Sequence, residues 1–385
     1  MMNNTFTGLG VPPALEQALA DQGISRPTPI QAAAVPVVLS GRDAFISSET
    51  GTGKTLAYLL PLAGSIEPGS SDLQVLVLAP THELAMQIYR TALELAGAAG
   101  LGLRVQALIG GVAVKRQLEQ LKRKPHLVVG SVGRIQHLIE LRKLKAQRLK
   151  AVVVDEMDRL LAGDNQAPTL AVVRATPRER QLVFVSATGR TESLSAAQKL
   201  APAMEVVRVG GDRVSPTIEH LFLVCEEREK PVMLRKLLHA LEPERTIVFA
   251  HTTARSESLS TMLTHHKLSV ADIHGTKDKL GRKKALEDLR SGRVRVLIAS
   301  DLAARGLDIA GVTHVFNVDV PTQAKDYLHR VGRTGRVGEA GLAVSLVTDQ
   351  EMGRIRRFER ELGISISPVK VSRGQVQPTP LPDKK

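Results

Sequence analysis

The chain is poor in several residue types, and each scarcity narrows its class. Among 385 residues there is one cysteine, Cys225, so neither an internal disulfide framework nor a cysteine-based zinc cluster is open to it. Tryptophan is absent and aromatics make up 3% of the chain, so platforms for stacking nucleobases are not expected. No apolar run approaches the ~18 residues that a membrane span needs. The first residues, Met1-Met2-Asn3-Asn4-Thr5, contain neither a basic segment nor an apolar stretch, so no secretory signal is read there. These absences point to a cytoplasmic protein with no membrane partner.

The residues that are present describe a soluble globular chain, 43% hydrophobic and 24% charged, long enough for two domains with a core each. The formal net charge is +13. Up to Gly210 there are 23 Lys+Arg against 17 Asp+Glu, and beyond it 29 against 22, so both halves share the excess. A phosphate backbone crossing two domains would need that distribution. On charge alone, a basic and merely soluble surface accounts for it equally well.

Short β-branched runs alternate with helical patterns along the chain. The expected strands of the first half are 43–48, 74–79, 104–109, 126–130, 151–155, 182–186 and 205–209. Those of the second are 221–225, 246–250, 270–273, 294–300, 314–318 and 343–347. Their nearly continuous apolar character fits parallel strands buried on both faces. Helical stretches such as 83–98, 231–241 and 279–290 lie between them, giving an α/β fold with a helix-covered parallel sheet in each half. Glycines, charges and Pro216 interrupt the series, which sets a linker at 210–217 between domains at 1–209 and 218–365. Beyond residue 365 the chain turns to Pro, Gln, Lys and Ser, and 366–385 is expected to be a short flexible tail.

The strongest chemical signal is Ser48-Glu49-Thr50-Gly51-Thr52-Gly53-Lys54-Thr55, after a strand and opening a helix. Glycines let backbone N–H groups surround phosphate oxygens at a helix N-terminus. Lys54 is expected to reach the β- and γ-phosphates and Thr55 to ligate Mg²⁺. Val152-Val153-Val154-Asp155-Glu156 ends another apolar strand. There Asp155 is the candidate metal carboxylate and Glu156 the group that orients the attacking water. Taken alone, such an acidic pair is more often a helix cap or a solvated edge. Far away, His329-Arg330-Val331-Gly332-Arg333-Thr334-Gly335-Arg336 sets three arginines at spacing three among glycines. That pattern reads either as a solvated face or as a phosphate clamp, with Arg333 and Arg336 acting on the γ-phosphate of ATP held at Lys54.

Together these motifs resemble the DEAD-box family of RNA helicases over about residues 6 to 348. The resemblance implies two tandem RecA-like domains with ATP and RNA as ligands. Phe6 and Arg26 to Gln31 look like the adenine-recognising motif, with Gln31 reading the base. Residues 48–55 look like motif I and Asp155-Glu156-Met157-Asp158 like motif II, with Met157 where the family has alanine. Ser186-Ala187-Thr188 resembles motif III, which implies that Ser186 and Thr188 couple hydrolysis to unwinding. Ala299 to Asp308 is close to motif V, where Asp308 would touch ribose, and His329–Arg336 is similar to motif VI.

On the RNA side the resemblance implies backbone contacts by Thr81, Gly111, Arg134, Thr252 and Ser300. Here the pattern departs from the family. His82 stands where arginine is usual, Ser131-Val132 replaces Thr-Pro before Gly133-Arg134, and His274-Gly275 is followed by Lys279 in place of glutamine. Lys115, Arg116, Lys122, Arg123 and Lys124 either make up for the missing arginine or form a solvated helix face. The expected function is an ATP- and Mg²⁺-dependent RNA helicase, a monomer that grips sugar–phosphate without sequence preference and unwinds short duplexes. An ATP-gated RNA clamp that separates strands poorly is the alternative, and a DNA translocase or other P-loop enzyme a more distant one.

Overall fold

A computed structural model describes residues 5–48, 51–187, 191–209, 216–273, 279–304, 309, 311–335 and 339–380. The chain divides into two compact units, Met1–Asp212 and Arg213–Lys385. Each is a mostly parallel sheet flanked by helices, as the α/β reading of each half expects. Among the described residues no helix is long and apolar enough to cross a membrane.

The first sheet holds β1 (Ala44–Ser47), β2 (Val75–Ala79), β3 (Val105–Leu108), β4 (Leu127–Ser131), β5 (Ala151–Val154), β6 (Gln181–Ser186) and β7 (Glu205–Arg208). Their spatial order is β3-β4-β2-β5-β6-β1-β7, every pairing parallel. Alternate side chains of each apolar run serve opposite faces. Ile46, Val77, Val129, Val153 and Val185 join one core, under α1 (Pro13–Ala20), α2 (Pro29–Leu39), α3 (Lys54–Gly64) and α4 (His82–Ala98). Phe45, Leu76, Val128, Val152 and Phe184 join the other. That second face is covered by α5 (Val114–Leu121), α6 (Val132–Glu140), α7 (Met157–Leu160), α8 (Gln166–Arg174) and α9 (Thr191–Gln198). Double-sided burial is why these strands read as continuous apolar runs.

The second sheet contains β8 (Ile218–Val224), β9 (Thr246–Phe249), β10 (Val270–Asp272), β11 (Val296–Ala299), β12 (His314–Asn317), β13 (Gly341–Val347), β14 (Ser367–Ser372) and β15 (Gln375–Pro378). They run in the order β10-β11-β9-β12-β13-β8-β14-β15. The intervening helices are α10 (Lys230–Leu241), α11 (Thr253–His265), α12 (Lys279–Arg290), α13 (Asp301–Ala304), α14 (Ala324–Val331) and α15 (Met352–Leu362). The first strand starts at Ile218, three residues before its expected position.

The expected tail is corrected by this sheet. Ser367 and Pro368 pair with Leu221 and Phe222 of β8, and β14 then pairs antiparallel with β15. Val369 is buried and Val371 and Val376 pack against the same core. Arg373 and Gly374, at φ 50 and 76, make the tight turn between them, as a two-residue hairpin requires. Burial of these valines makes residues 366–380 part of the second unit. Residues 381–385 lie outside the described ones.

Candidate functional site

In open parallel sheets ligands gather at the carboxyl ends of the strands. At that edge of the first unit, β5, β6 and β1 are neighbours, and they present Asp155, Ser186 and the phosphate loop in turn. Gly53, at φ +90, ends the loop and opens α3, whose first residues are Lys54 and Thr55. An added Cβ at Gly53 would lie 2.3 Å from the Gln31 amide nitrogen, so glycine is needed there for both space and backbone angle.

Three side chains hold the loop's carbonyls. Gln31 Nε2 donates to the Gly53 carbonyl at 3.1 Å, and Thr28 Oγ1 donates to that of Thr52 at 2.8 Å. Lys54 Nζ donates to the Ser48 carbonyl at 2.5 Å, while Ser48 and Thr52 share a 2.8 Å hydroxyl contact. In a trans peptide the N–H points opposite its own carbonyl. Anchoring the carbonyls of Thr52 and Gly53 therefore turns the amides of Gly53 and Lys54 the other way, toward space a phosphate would use. Gln31 is set for this task by the start of α2, where Thr28 and Gln31 cap each other reciprocally. It is 1% exposed. Gly51 is exposed with φ +86, Thr52 and Thr55 are half-buried, and Arg26 is exposed.

The acidic pair lies on the next elements. Asp155 is 6% exposed, and the Tyr58 phenol, reaching across from α3, donates to its Oδ2 at 2.8 Å. Burial pushes the Asp155 carboxyl up to about 6, against the opposing pull of the Tyr58 hydrogen bond. Glu156 takes a left-handed backbone, φ 46, with its carboxylate 3.1 Å from Arg159. A non-glycine residue held in that region stores strain, a common mark of functional positions. Asp158 is raised too, chiefly by burial, and accepts from Ser186 Oγ at 3.5 Å. Met157 is fully buried in the core.

The other half of the same edge is built by β2, β3 and β4. Thr81 follows β2 and caps α4, its hydroxyl accepting from Leu84 N at 3.2 Å. His82 lies over Gly110, where a Cβ would stand 2.8 Å from its Nε2. Gly111, at φ 74, continues that loop. Arg134 braces the loop from α6, donating to Gln117 Oε1 at 2.8 Å and to the Val112 carbonyl at 3.1 Å. Lys115 and Arg116 stand at the start of α5, close to Gly111 in sequence, whereas Lys122, Arg123 and Lys124 follow its far end. The latter three lead into the amino end of β4 and so cannot replace the arginine missing at His82.

In the second unit Thr252 follows β9 and caps α11, its hydroxyl accepting from Arg255 N at 3.2 Å. Ser300 follows β11 and accepts from Ala303 N at 3.3 Å. The two described arginines of the run are both buried, in different settings. Arg330 is 1% exposed and clamps both Asp301 oxygens, at 2.6 and 2.8 Å. It also bonds Asn317 Oδ1, the Asp319 carbonyl and His251 Nε2, with its guanidinium 4.9 Å from the Phe249 ring centre. Arg333 is 8% exposed, with Nε on the His329 carbonyl at 3.1 Å.

The placements differ from expectation at one further residue. Phe6 is fully buried in the first core, beneath α1 and α2, and has no exposed ring face for a base. Glu49, Thr50, Thr188, Asp308 and Arg336, with His274-Gly275 and most of the linker, lie outside the described residues. Motif reading missed Tyr58, and it found Arg330 only as one of three evenly spaced arginines, with no separate role. The partners that set both side chains are distant in sequence, 97 residues for Tyr58 and Asp155 and 29 for Arg330 and Asp301.

Residues 28–196 match the DEAD/DEAH box helicase family, and residues 229–338 match the helicase conserved C-terminal domain. The DEAD-box ATP-dependent RNA helicase CshC of Bacillus cereus is 39% identical over 374 residues, 97% of this chain and 95% of that one. The chain belongs to the DEAD-box family of ATP-dependent RNA helicases. The probable ATP-dependent RNA helicase YfmL of Bacillus subtilis is 36% identical over 356 residues, covering 92% of this chain and 94% of its own. Among solved structures, S. cerevisiae Dbp5 bound to RNA and ADP BeF3 is similar at a TM-score of 0.87 and 28% identity, with 95% of each chain covered. This DEAD-box protein is thus an RNA helicase that uses ATP.

Proposed function

We propose that this helicase binds ATP on the β1–β5–β6 half of the first unit's carboxyl edge and the RNA sugar–phosphate backbone on the β2–β3–β4 half. The observation that carries the reading is the set of side-chain bonds from Thr28, Gln31 and Lys54 to loop carbonyls. They leave loop amides oriented for phosphates. On ATP binding, Lys54 exchanges the Ser48 carbonyl for phosphate oxygens. Gln31 stands where it holds the loop and, in this reading, also senses adenine.

Thr55 and Asp155 offer oxygen donors, which suit a hard divalent cation. A carboxylate pushed toward protonation by burial is also one that a nearby cation restores to its anionic form. We assign Mg²⁺ to these two residues, where it would neutralise charge developing on the phosphates. Glu156 then orients the attacking water, and Ser186, through Asp158, ties this chemistry to the end of β6. Arg333 is assigned to the γ-phosphate in the ATP-bound state, so that hydrolysis releases it.

On the RNA half, Thr81, Gly111 and Arg134, with Thr252 and Ser300 of the second unit, are assigned to backbone contacts. Such contacts carry no sequence preference. Local separation of short duplexes is the expected outcome. The test is strand displacement on a short RNA duplex, compared with a relative at matched ATPase rate. Displacement in step with hydrolysis supports the helicase reading. Hydrolysis with negligible displacement identifies an ATP-gated RNA clamp instead.

A further inference from the structure

The charge of this protein is not spread as its two halves suggest. Residues 101–150 hold twelve Lys+Arg against two Asp+Glu, a surplus of ten in a chain whose net charge is +13. Three of those cations, Lys115, Arg116 and Arg134, belong to the carboxyl edge already assigned to RNA. The other nine do not.

They gather at the opposite, amino-terminal edge of the first sheet. Gln74, just before β2, is hydrogen-bonded to His126 before β4 on one side and to Lys150 before β5 on the other. Lys122–Lys124 and Lys150 are thereby brought to neighbouring strand ends, β4 and β5 being two strand spacings apart, about 10 Å. Arg104 enters the same edge, bonded to the carbonyls of Ser70 and Lys124. Gln181, which opens β6, bonds the Lys150 carbonyl, and Arg178 lies just ahead of it.

Between α6 and β5 the ten residues from Leu141 to Lys150 include five cations and no acid. Leu144, Ala146 and Leu149 are buried, while Arg142, Lys143, Lys145, Arg148 and Lys150 are exposed. The apolar residues pin the segment to the core and leave a ribbon of cations outside. Lys150 pairs with Glu67 and Lys122 with Glu119. Arg123, Arg142, Lys143, Lys145 and Arg148 have no side-chain hydrogen bond or ion pair among the described residues. Cations just past a helix end are also explained by the helix dipole. That covers Arg142 and Lys143 but not Lys145 or Arg148, which lie beyond the last turn of α6.

We infer that this amino-terminal edge, centred on Arg142, Lys143, Lys145 and Arg148 with Arg123, is a second RNA-binding surface. It holds the phosphate backbone of an RNA segment flanking the one gripped at the carboxyl edge. The inference rests on the DEAD-box reading for its ligand, and on the unpaired cations for its place. Unpaired cations exchange counterions for phosphates at little cost in broken ion pairs, and that exchange drives sequence-independent binding. The two edges are separated by the length of the strands, about 16 Å along the five residues of β4. A strand confined to the carboxyl edge therefore leaves the ribbon empty, and only a longer RNA engages both.

The test compares the full chain with the variant Arg142→Gln/Lys143→Gln/Lys145→Gln/Arg148→Gln, measuring RNA affinity against salt for a ~10-nucleotide and a ~40-nucleotide strand. On the long RNA the variant should lose roughly two to three units of slope in log affinity against log salt, at about 0.7 per lost phosphate contact. On the short RNA, affinity, slope and stimulated ATP turnover should match the parent protein. An unchanged slope on the long RNA overturns the proposal and leaves a solvated surface. Equal losses on both lengths overturn it as well, since the cations then act at the core site or on the fold. Binding of anionic vesicles by the parent, lost in the variant with the RNA slope unchanged, overturns it in favour of a membrane surface. If the parent protein binds neither RNA, it is the family reading of the ligand that fails.

Discussion

At the carboxyl edge of the first sheet, β1, β5 and β6 carry functional groups that bond to one another, whereas β2, β3 and β4 carry groups that cap and brace their own loops. On the half proposed for the nucleotide, Gln31, Thr28, Lys54, Tyr58 and Asp155 form an oriented set, most of it buried. On the half proposed for RNA, Thr81 caps a helix, Arg134 braces a loop and His82 covers a glycine. Chemistry on a phosphoryl group depends on donors preorganised to fractions of an ångström. Holding a flexible backbone through charge does not, and a lost contact there is made up by a neighbour. Most departures from the family pattern accordingly fall on positions expected to meet RNA, while the one in motif II, Met157, is buried in the core.

The largest effect should separate the two halves outright. Glu156→Gln is expected to lower ATP turnover by roughly 10²–10⁴ through loss of the water-orienting group, with ATP and RNA affinities changed only a few-fold. Steady-state hydrolysis alongside nucleotide and RNA titrations checks this, and near-normal turnover would remove Glu156 from the chemistry.

Asp155 supplies a second contrast, because its burial makes function costly to stability. Burial raises its carboxyl from the ordinary aspartate value of 3.8 to about 6, so the folded form holds the proton more tightly. The nucleotide-free protein is therefore favoured by that group at low pH and loses the benefit as pH rises from about 3.8 through 6. The full difference is about 3 kcal/mol. Asp155→Asn should raise stability against urea at pH 7 by up to that amount, flatten the pH dependence in that window and abolish hydrolysis. A destabilised variant would show that the carboxylate is better satisfied than its burial implies.

Tyr58→Phe sharpens the point. The loss of one hydrogen bond to a buried charged acceptor is worth roughly 1.5–3 kcal/mol. Turnover at saturating ATP should fall about tenfold or more, with the Mg²⁺ requirement raised and RNA affinity intact. Unchanged turnover and Mg²⁺ requirement would reduce the phenol to core packing. The smallest effect belongs to the RNA half, where His82→Arg adds one phosphate contact. Its salt slope for RNA should steepen by about 0.7, while turnover without RNA stays as it was. No change in slope would place residue 82 off the backbone path.

Much of this was legible in the sequence for physical reasons. Parallel strands buried on both faces are continuous apolar runs, and a phosphate loop must be contiguous, so both leave unbroken traces. The hairpin at Ser367–Pro378 was hidden behind polar and proline-rich composition, although Val369, Val371 and Val376 alternate around Arg373-Gly374. Tyr58 reads as an ordinary core aromatic until the fold brings it to Asp155, 97 residues away. Arg330 reads like its two neighbours at spacing three, yet its burial depends on Asp301, Asn317 and His251 arriving from other elements. Phe6, expected in the adenine motif, is fully buried in the first core. The position of the cations from Lys122 onward could not be read without knowing which end of α5 meets which edge.

The central claim is that RNA held on one half of this edge drives chemistry on the other, and ATP hydrolysis with and without single-stranded RNA tests it most directly. The account predicts strong stimulation by RNA, weaker stimulation by DNA of the same sequence, and loss of turnover in Lys54→Ala. Turnover that is equal with and without RNA, or that survives in Lys54→Ala, would contradict it.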